Sequence, residues 1–388
     1  MPGLKDSIKR LLRLACLQKI NCLARCVRRA FYNSVDLLGS VFFFPLFISR
    51  KKTFAKDEIK KILIIRLDRI GDVILSTPAL RALRLSFPKA KIHLLIQEYT
   101  KDLLVNNPNI DKLLVYPAPA RRGGEGLPSD YDAAIALHPG LKQNYLTFKS
   151  GAQVRVGYTG WGGGFFLTHK MKDDRAQRLR HEVESALEVV GALGAKTEDR
   201  RIEVSITPEG EGFSGLFFKK NNLVGNGLIV VVHPGARQEY IRWRKEGFAE
   251  VCDRLIKEKQ ARVILLGSQK EQGLVEETAS LMAEKPLLAI GLGLTQVVSL
   301  IKRCGLFIGN STGPMHIASA LGIPVVAIFG SRHPLDGYKA WGPWTKKGMV
   351  VAKDLKCPDC HPSDCRSFDC MRLISPDDVW EAIEKIGI

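Results

Sequence analysis

The sequence predicts an α/β protein of two doubly wound domains facing a cleft. Short apolar runs alternate with helical patterns from about residue 60, and that alternation restarts near Leu228. Glycine-bearing loops recur just after the apolar runs. A length of 388 residues suits two domains and a further segment. With 45% hydrophobic and 25% charged residues, the chain can bury sizeable cores.

The elements follow in order. Lys61-Ile-Leu-Ile-Ile-Arg66 is a continuous apolar run suited to a buried parallel strand, followed by a loop through Gly71-Asp72 and a helix from Val73 to about Phe87. Residues 92–96, 112–116 and 133–137 read as further strands, Arg121 to Ser129 as a polar surface loop, and His181 to Leu193 as a helix. A linker is expected over Pro208 to Gly227. The second half then supplies strands at 228–232, 262–266 and 325–329, with helices from about Phe248 and near Glu271–Glu284. Between them lies Phe307-Ile-Gly-Asn-Ser-Thr-Gly-Pro-Met-His316, a buried strand, a tight loop and a helix opening at Pro314. His-Pro-Gly occurs twice after a strand, at 138–140 and 233–235, which hints at two similarly built halves. The expected organisation is a basic amphipathic segment over 1–58, domains over 59–215 and 216–375, and a helix over 376–388 crossing back onto the first domain.

The formal net charge of +18 calls for an acidic partner. Residues 1–60 hold thirteen Lys and Arg against four Asp and Glu. They mix cations with apolar residues and end in Val41-Phe-Phe-Phe-Pro-Leu-Phe-Ile48 and Arg50-Lys51-Lys52. The apolar run is short for a helical span, and Pro45 interrupts it. No small-residue cleavage site follows it, so an export signal is not expected. Attachment to an anionic membrane surface fits this pattern; the alternatives are a helix packed on the protein's own core, a loose tail, or a true span. No interleaving of aromatic and basic residues marks a nucleic-acid-binding module. The expected location is cytoplasmic, on the inner face of the cytoplasmic membrane. Of nine cysteines, Cys357, Cys360, Cys365 and Cys370 cluster, with a structural zinc, free thiols, and disulfides or redox activity as alternatives.

Three post-strand loops carry the residues suited to chemistry. The helix N-terminus at Gly313 presents backbone N–H groups and partial positive charge to an anion, which suits a nucleotide or its diphosphate. Arg237 and Arg242 offer guanidinium forks for a diphosphate, or else form a solvated basic loop. Asp72 is either a general base aimed into the cleft or the N-cap of the following helix. Asp68 competes for the base role, but it lies between Arg66 and Arg69, where pairing is expected.

Residues 65–83, Ile-Arg-Leu-Asp-Arg-Ile-Gly-Asp-Val-Ile-Leu-Ser-Thr-Pro-Ala-Leu-Arg-Ala-Leu, with His-Pro-Gly-Ala-Arg at 233–237 and Gly-Asn-Ser-Thr-Gly-Pro-Met-His at 309–316, closely resemble the lipopolysaccharide heptosyltransferases. The likeness runs from about residue 60 to the C-terminus. It implies a GT-B fold of two Rossmann-like domains facing a cleft, and metal-independent inverting transfer of a heptose from ADP-heptose to a lipid-linked saccharide acceptor. It implies Asp72 as catalytic base, and Ser311, Thr312, Gly313 and His316 in the donor diphosphate loop. Arg242 lies near the family's phosphate-binding basic residue before a tryptophan. At Ser311 the chain departs from relatives that often carry Asp, which leaves the donor's sugar and nucleotide open. No cofactor is implied. A nucleotide-sugar epimerase or hydrolase of the same architecture, and a non-catalytic membrane-attached binding protein, are the rival readings.

Overall fold

The computed structural model describes residues 27, 30–32, 34–42, 55–116, 127–225, 227–330, 336–355, 365 and 367–388. Two six-stranded parallel sheets organise it. The first contains β1 (Lys61–Ile65), β2 (Lys91–Ile96), β3 (Lys112–Val115), β4 (Ala133–Ala136), β5 (Val154–Thr159) and β6 (His169–Lys172). The second contains β7 (Ile229–His233), β8 (Arg262–Gly267), β9 (Leu287–Ile290), β10 (Leu306–Asn310), β11 (Val325–Ile328) and β12 (Gly348–Val351). Their spatial orders are β3-β2-β1-β4-β5-β6 and β12-β11-β10-β7-β8-β9, which are one topology, 3-2-1-4-5-6, used twice. Each sheet reverses direction between its first and fourth strands, and ligands of such sheets bind at that switch point.

The predicted central strands are present because each is an apolar run buried on both faces: β1, β4, β7, β10 and β11 contain almost no exposed position. The helix expected over 73–87 is two helices, Ile70–Leu75 and Thr77–Ser86. Ser76 closes the first by donating to the Asp72 carbonyl, and Pro78 sits in the first turn of the second.

Three expectations are corrected. The segment expected as a linker forms a helix, Pro208–Lys220, capped by Thr207, which accepts from Gly210 N–H. Gly210 lets that helix approach helix Leu294–Lys302, since a Cβ there would lie 2.4 Å from Ser299 Oγ. The expected domain boundary between 215 and 216 therefore falls inside a helix packed on the second domain. The last helix, Pro376–Ile386, does not cross back. Its apolar face, Val379, Trp380 and Ile383, is buried in one cluster with Val251 and Leu255 of the second domain. The two His-Pro-Gly loops are not equivalent positions either: one follows the fourth strand of its domain, the other the first. The duplication lies in topology, not in that tripeptide.

A continuous apolar core joins the two domains. It runs through Val73, Ile74 and Leu75 of helix Ile70–Leu75 to Met315, Ile317 and Ala318 of helix Gly313–Ala320. The helices approach through glycines. A Cβ on Gly71 would lie 2.5 Å from His316 Cδ2, and one on Gly313 would lie 3.0 Å from Ile70 Cβ. No helix among the described residues is long and apolar enough to cross a membrane.

Candidate active site

The loops that follow the switch-point strands of both sheets meet at one cleft of about 1060 Å³. From the first domain come residues 67–72 after β1 and His138-Pro139 after β4; from the second come His233 to Ile241 after β7 and Ser311 to Pro314 after β10. Of the residues singled out in the sequence, Asp72, Arg237, Ser311, Thr312, Gly313 and His316 line it.

Asp72 is the third residue of helix Ile70–Leu75, so it is not the N-cap; Arg69 holds that position. The Asp72 carboxylate still serves the helix start, because Oδ2 accepts the Arg69 backbone N–H at 3.1 Å. Its other oxygen accepts from Arg66 Nη2 at 3.3 Å, and Arg66 Nε donates to the Asp72 carbonyl at 3.1 Å. Arg66 is fully buried and also donates to Glu182 at 2.9 Å and to the Leu137 carbonyl. Burial raises the Asp72 carboxyl above the ordinary aspartate value; Arg66 opposes that, while Asp68 and Glu182 reinforce it. A carboxylate placed this way is more basic than a solvated one and is fixed in direction, as a general base requires. The expected pairing of Asp68 is only loose, 3.7 Å from Arg66 Nε and 3.7 Å from His138 Nδ1.

The opposite wall is organised by Asn310, a fully buried side chain that the sequence motif contained but did not explain. Its amide nitrogen donates to the carbonyls of Pro234 and Gly235 at 2.9 and 3.1 Å, and its oxygen accepts from Trp243 N–H at 2.9 Å. One side chain therefore fixes the loop after β7 against the end of β10. Thr312 makes no capping hydrogen bond to helix Gly313–Ala320; its hydroxyl meets His233 Nδ1 at 3.1 Å. His233 Nε2 lies 3.5 Å from Glu271. Burial pushes the Glu271 carboxyl up, but the partnership with His233 and the Ser268 donors outweigh it and bring it down to about 2. Glu271 was missed in the sequence; the Gly267-Ser268 loop before it was the available signal. His316 is buried against Gly71, and desolvation, with His181 nearby, holds its imidazole down at about 3, so it is neutral.

Arg237 is exposed at the cleft and has no ion-pair partner among the described residues. Arg242 does not line the cleft. Its guanidinium donates to the Ala236 carbonyl at 2.8 Å and so braces the loop that carries Arg237. In the cysteine cluster, Cys365 and Cys370 are half-buried, while Cys357 and Cys360 lie outside the described residues.

Known proteins resemble this chain in sequence and in fold. The family described as glycosyltransferase family 9 (heptosyltransferase) matches residues 121–369, more than half of the chain. Lipooligosaccharide heptosyltransferase 2 of Haemophilus influenzae is 26% identical over 291 residues, covering 70% of this chain and 84% of that protein. A crystal structure of a family 9 glycosyltransferase from Veillonella parvula superposes with a TM-score of 0.72 at 26% identity, over 87% of this chain and 99% of the other. ADP-heptose LPS heptosyltransferase II of Escherichia coli shares the fold, with a TM-score of 0.68 at 23% identity over 84% and 98% of the two chains. The two facing sheets thus form a GT-B glycosyltransferase fold, and the chain belongs to glycosyltransferase family 9, the heptosyltransferases.

Proposed function

We propose that this enzyme transfers a heptose, with inversion, from ADP-heptose to a lipid-linked saccharide of the lipopolysaccharide core, with Asp72 as general base and without a metal. The observation that carries the reading is the direct packing of the Asp72 helix on the donor-loop helix, through Gly71 against His316. That contact sets a basic carboxylate beside an anion-binding helix N-terminus.

The acceptor hydroxyl approaches the anomeric carbon from the first domain. As the new C–O bond forms, its proton passes to an Asp72 carboxylate oxygen, and the bond to the diphosphate breaks on the opposite face. A positioned base contributes about 10²–10⁴-fold. The departing electron pair stays on the distal phosphate, which gains negative charge. The start of helix Gly313–Ala320 offsets that charge by at most about 2 kcal/mol. Arg237 and the Thr312 hydroxyl, oriented by His233 and Glu271, supply further stabilisation. Calorimetry with ADP-, UDP- and GDP-linked sugars, without acceptor or metal, tests the donor assignment. Selective binding of ADP-heptose is expected. Preference for another nucleotide would make Ser311 a marker of changed donor choice, and turnover of the donor without acceptor would favour a hydrolase.

The membrane surface is the second part of the proposal. Residues 34–42 are helical and seat on the glycine loop beside the cleft: the Asp36 carboxylate accepts Gly164 N–H at 2.8 Å, and Gly39 packs on the Phe165 ring. The other side of that segment exposes Leu37, Leu38, Val41 and Phe42, and the flanking sequence is basic. An apolar face bordered by cations suits the headgroup boundary of an anionic leaflet, where a lipid-linked acceptor is displayed. Val41→Glu with Phe42→Glu is expected to reduce cosedimentation with phosphatidylglycerol-containing vesicles while leaving the melting temperature unchanged. Unchanged sedimentation counts against this face.

A further inference from the structure

The cleft has four described arginines, and two of them are committed to carboxylates. Arg175 is held by Asp173 at 2.8 Å and by Glu182 at 3.3 Å, and Arg180 pairs with Glu188. Arg237 and Arg69 are exposed at the cleft, and neither has an ion-pair partner among the described residues. They come from opposite domains. Arg237 follows β7, while Arg69 follows β1 and is the N-cap of the Asp72 helix.

Arg69 adjoins the donor loop through its own backbone. The next residue, Ile70, is the one a Cβ on Gly313 would meet at 3.0 Å, so the two helices begin side by side. The Arg69 N–H is fixed by Asp72 Oδ2, yet its side chain makes no capping hydrogen bond. Its charge acts on Tyr99 of the first domain, as does that of Arg237, and on Tyr240 of the second. The Arg69 guanidinium thus lies where the two walls face each other, anchored at its backbone and uncommitted at its tip.

We propose that Arg69 is a phosphate-binding residue that reaches the distal phosphate of a nucleoside diphosphate from the acceptor domain, opposite Arg237. This rests on the donor reading above and adds a ligand to it. A diphosphate seated at the Gly313 helix is held by its own domain through Arg237 and the helix N-terminus. The distal phosphate bears the sugar and therefore points toward the acceptor domain, where Arg69 is the cleft-lining arginine without an ion-pair partner among the described residues. A guanidinium fork matches two phosphate oxygens at once. It would neutralise charge on the oxygen that leaves the anomeric carbon. The same helix turn then carries the base and the leaving-group cation three residues apart.

Titration calorimetry of the full-length protein with ADP and with AMP, in EDTA, tests this on wild type, Arg69→Gln and Arg69→Lys. Arg69→Gln is expected to weaken ADP binding about tenfold, the usual effect of losing a charge-assisted hydrogen bond. AMP affinity should change much less, and Arg69→Lys should recover part of the loss. The melting temperature should not move, since the side chain has no hydrogen-bond or ion-pair partner among the described residues. Two results would overturn the proposal alone: ADP affinity of Arg69→Gln within twofold of wild type, or equal weakening of ADP and AMP. Failure of the wild type to bind ADP, UDP or GDP would instead overturn the donor reading, and this inference with it.

Discussion

Replacing Gly71 with alanine adds one methyl group at the contact between the two domains. The backbone at Gly71 lies outside the left-handed region, so alanine is conformationally acceptable, and in a helix it is favoured over glycine by about 0.5–1 kcal/mol. The new Cβ would lie 2.5 Å from His316 Cδ2 and 3.0 Å from Nε2. Ordinary carbon contacts need roughly 3.5–4.0 Å, so relief requires about 1 Å of movement. His316 is buried and cannot swing into solvent. The two helices must therefore separate, carrying Asp72 away from the donor loop. Overpacking of this kind costs about 1–3 kcal/mol, partly offset by the helix preference, so net stability should fall by no more than about 2.5 kcal/mol. Activity should suffer more: a displacement of about 1 Å in a reacting pair costs on the order of 10²-fold. The assay is heptose transfer to a lipopolysaccharide acceptor, followed as ADP release, alongside thermal denaturation. A Gly71→Ala enzyme that melts normally and transfers at the wild-type rate would refute the idea that this contact sets the catalytic distance.

Two other perturbations test the surroundings of the base. Arg66→Met leaves Asp68, Asp72 and Glu182 clustered without their shared buried cation, and breaking such a pair costs about 3–5 kcal/mol. Denaturant unfolding should show that loss, and the acid limb of kcat/KM should move to higher pH as the Asp72 carboxyl rises further; an unmoved limb would separate Arg66 from the base. His316 tests the interface. Its folded value of about 3 lies below the ordinary 6.5, so on acidification the unfolded chain takes up the proton first. Stability contributed by the neutral ring is thus complete above pH 6.5 and is lost toward pH 3, with a slope of up to about 1.4 kcal/mol per unit. His316→Asn should flatten the curve in that window, and identical slopes would contradict the burial of a neutral imidazole.

The parts of this fold that sequence reveals are those whose burial is uniform. β1, β4, β7, β10 and β11 are unbroken apolar runs, and the loops after them contain the glycines and charges that the switch points require. Four strands escape the same reasoning. β5 is interrupted by Arg155 and Gly157, and Arg155 is fully buried because it donates to the Ala152 carbonyl. β6, β9 and β12 lie at sheet edges; β6 is the polar run His-Lys-Met-Lys, while β9 and β12 are apolar but only four residues long and partly exposed. Within the site, Asp72 and the Gly309–His316 loop were legible because their chemistry is local. Gly71 was not: its need for a missing Cβ comes from His316 in the other domain. Nor were Asn310 and Glu271, whose roles as braces appear only when the loops after β7, β8 and β10 converge.

In the proposed mechanism Asp72 accepts the proton of the acceptor hydroxyl. Asp72→Asn tests it most directly, because the amide keeps the size of the side chain and an oxygen for the Arg69 N–H while removing the basic carboxylate. Heptose transfer is expected to fall about 10²–10⁴-fold, with ADP affinity within a few-fold of wild type. Transfer at the wild-type rate in that variant would contradict that role outright. A loss of ADP binding as large as the loss of transfer would assign Asp72 to donor binding instead.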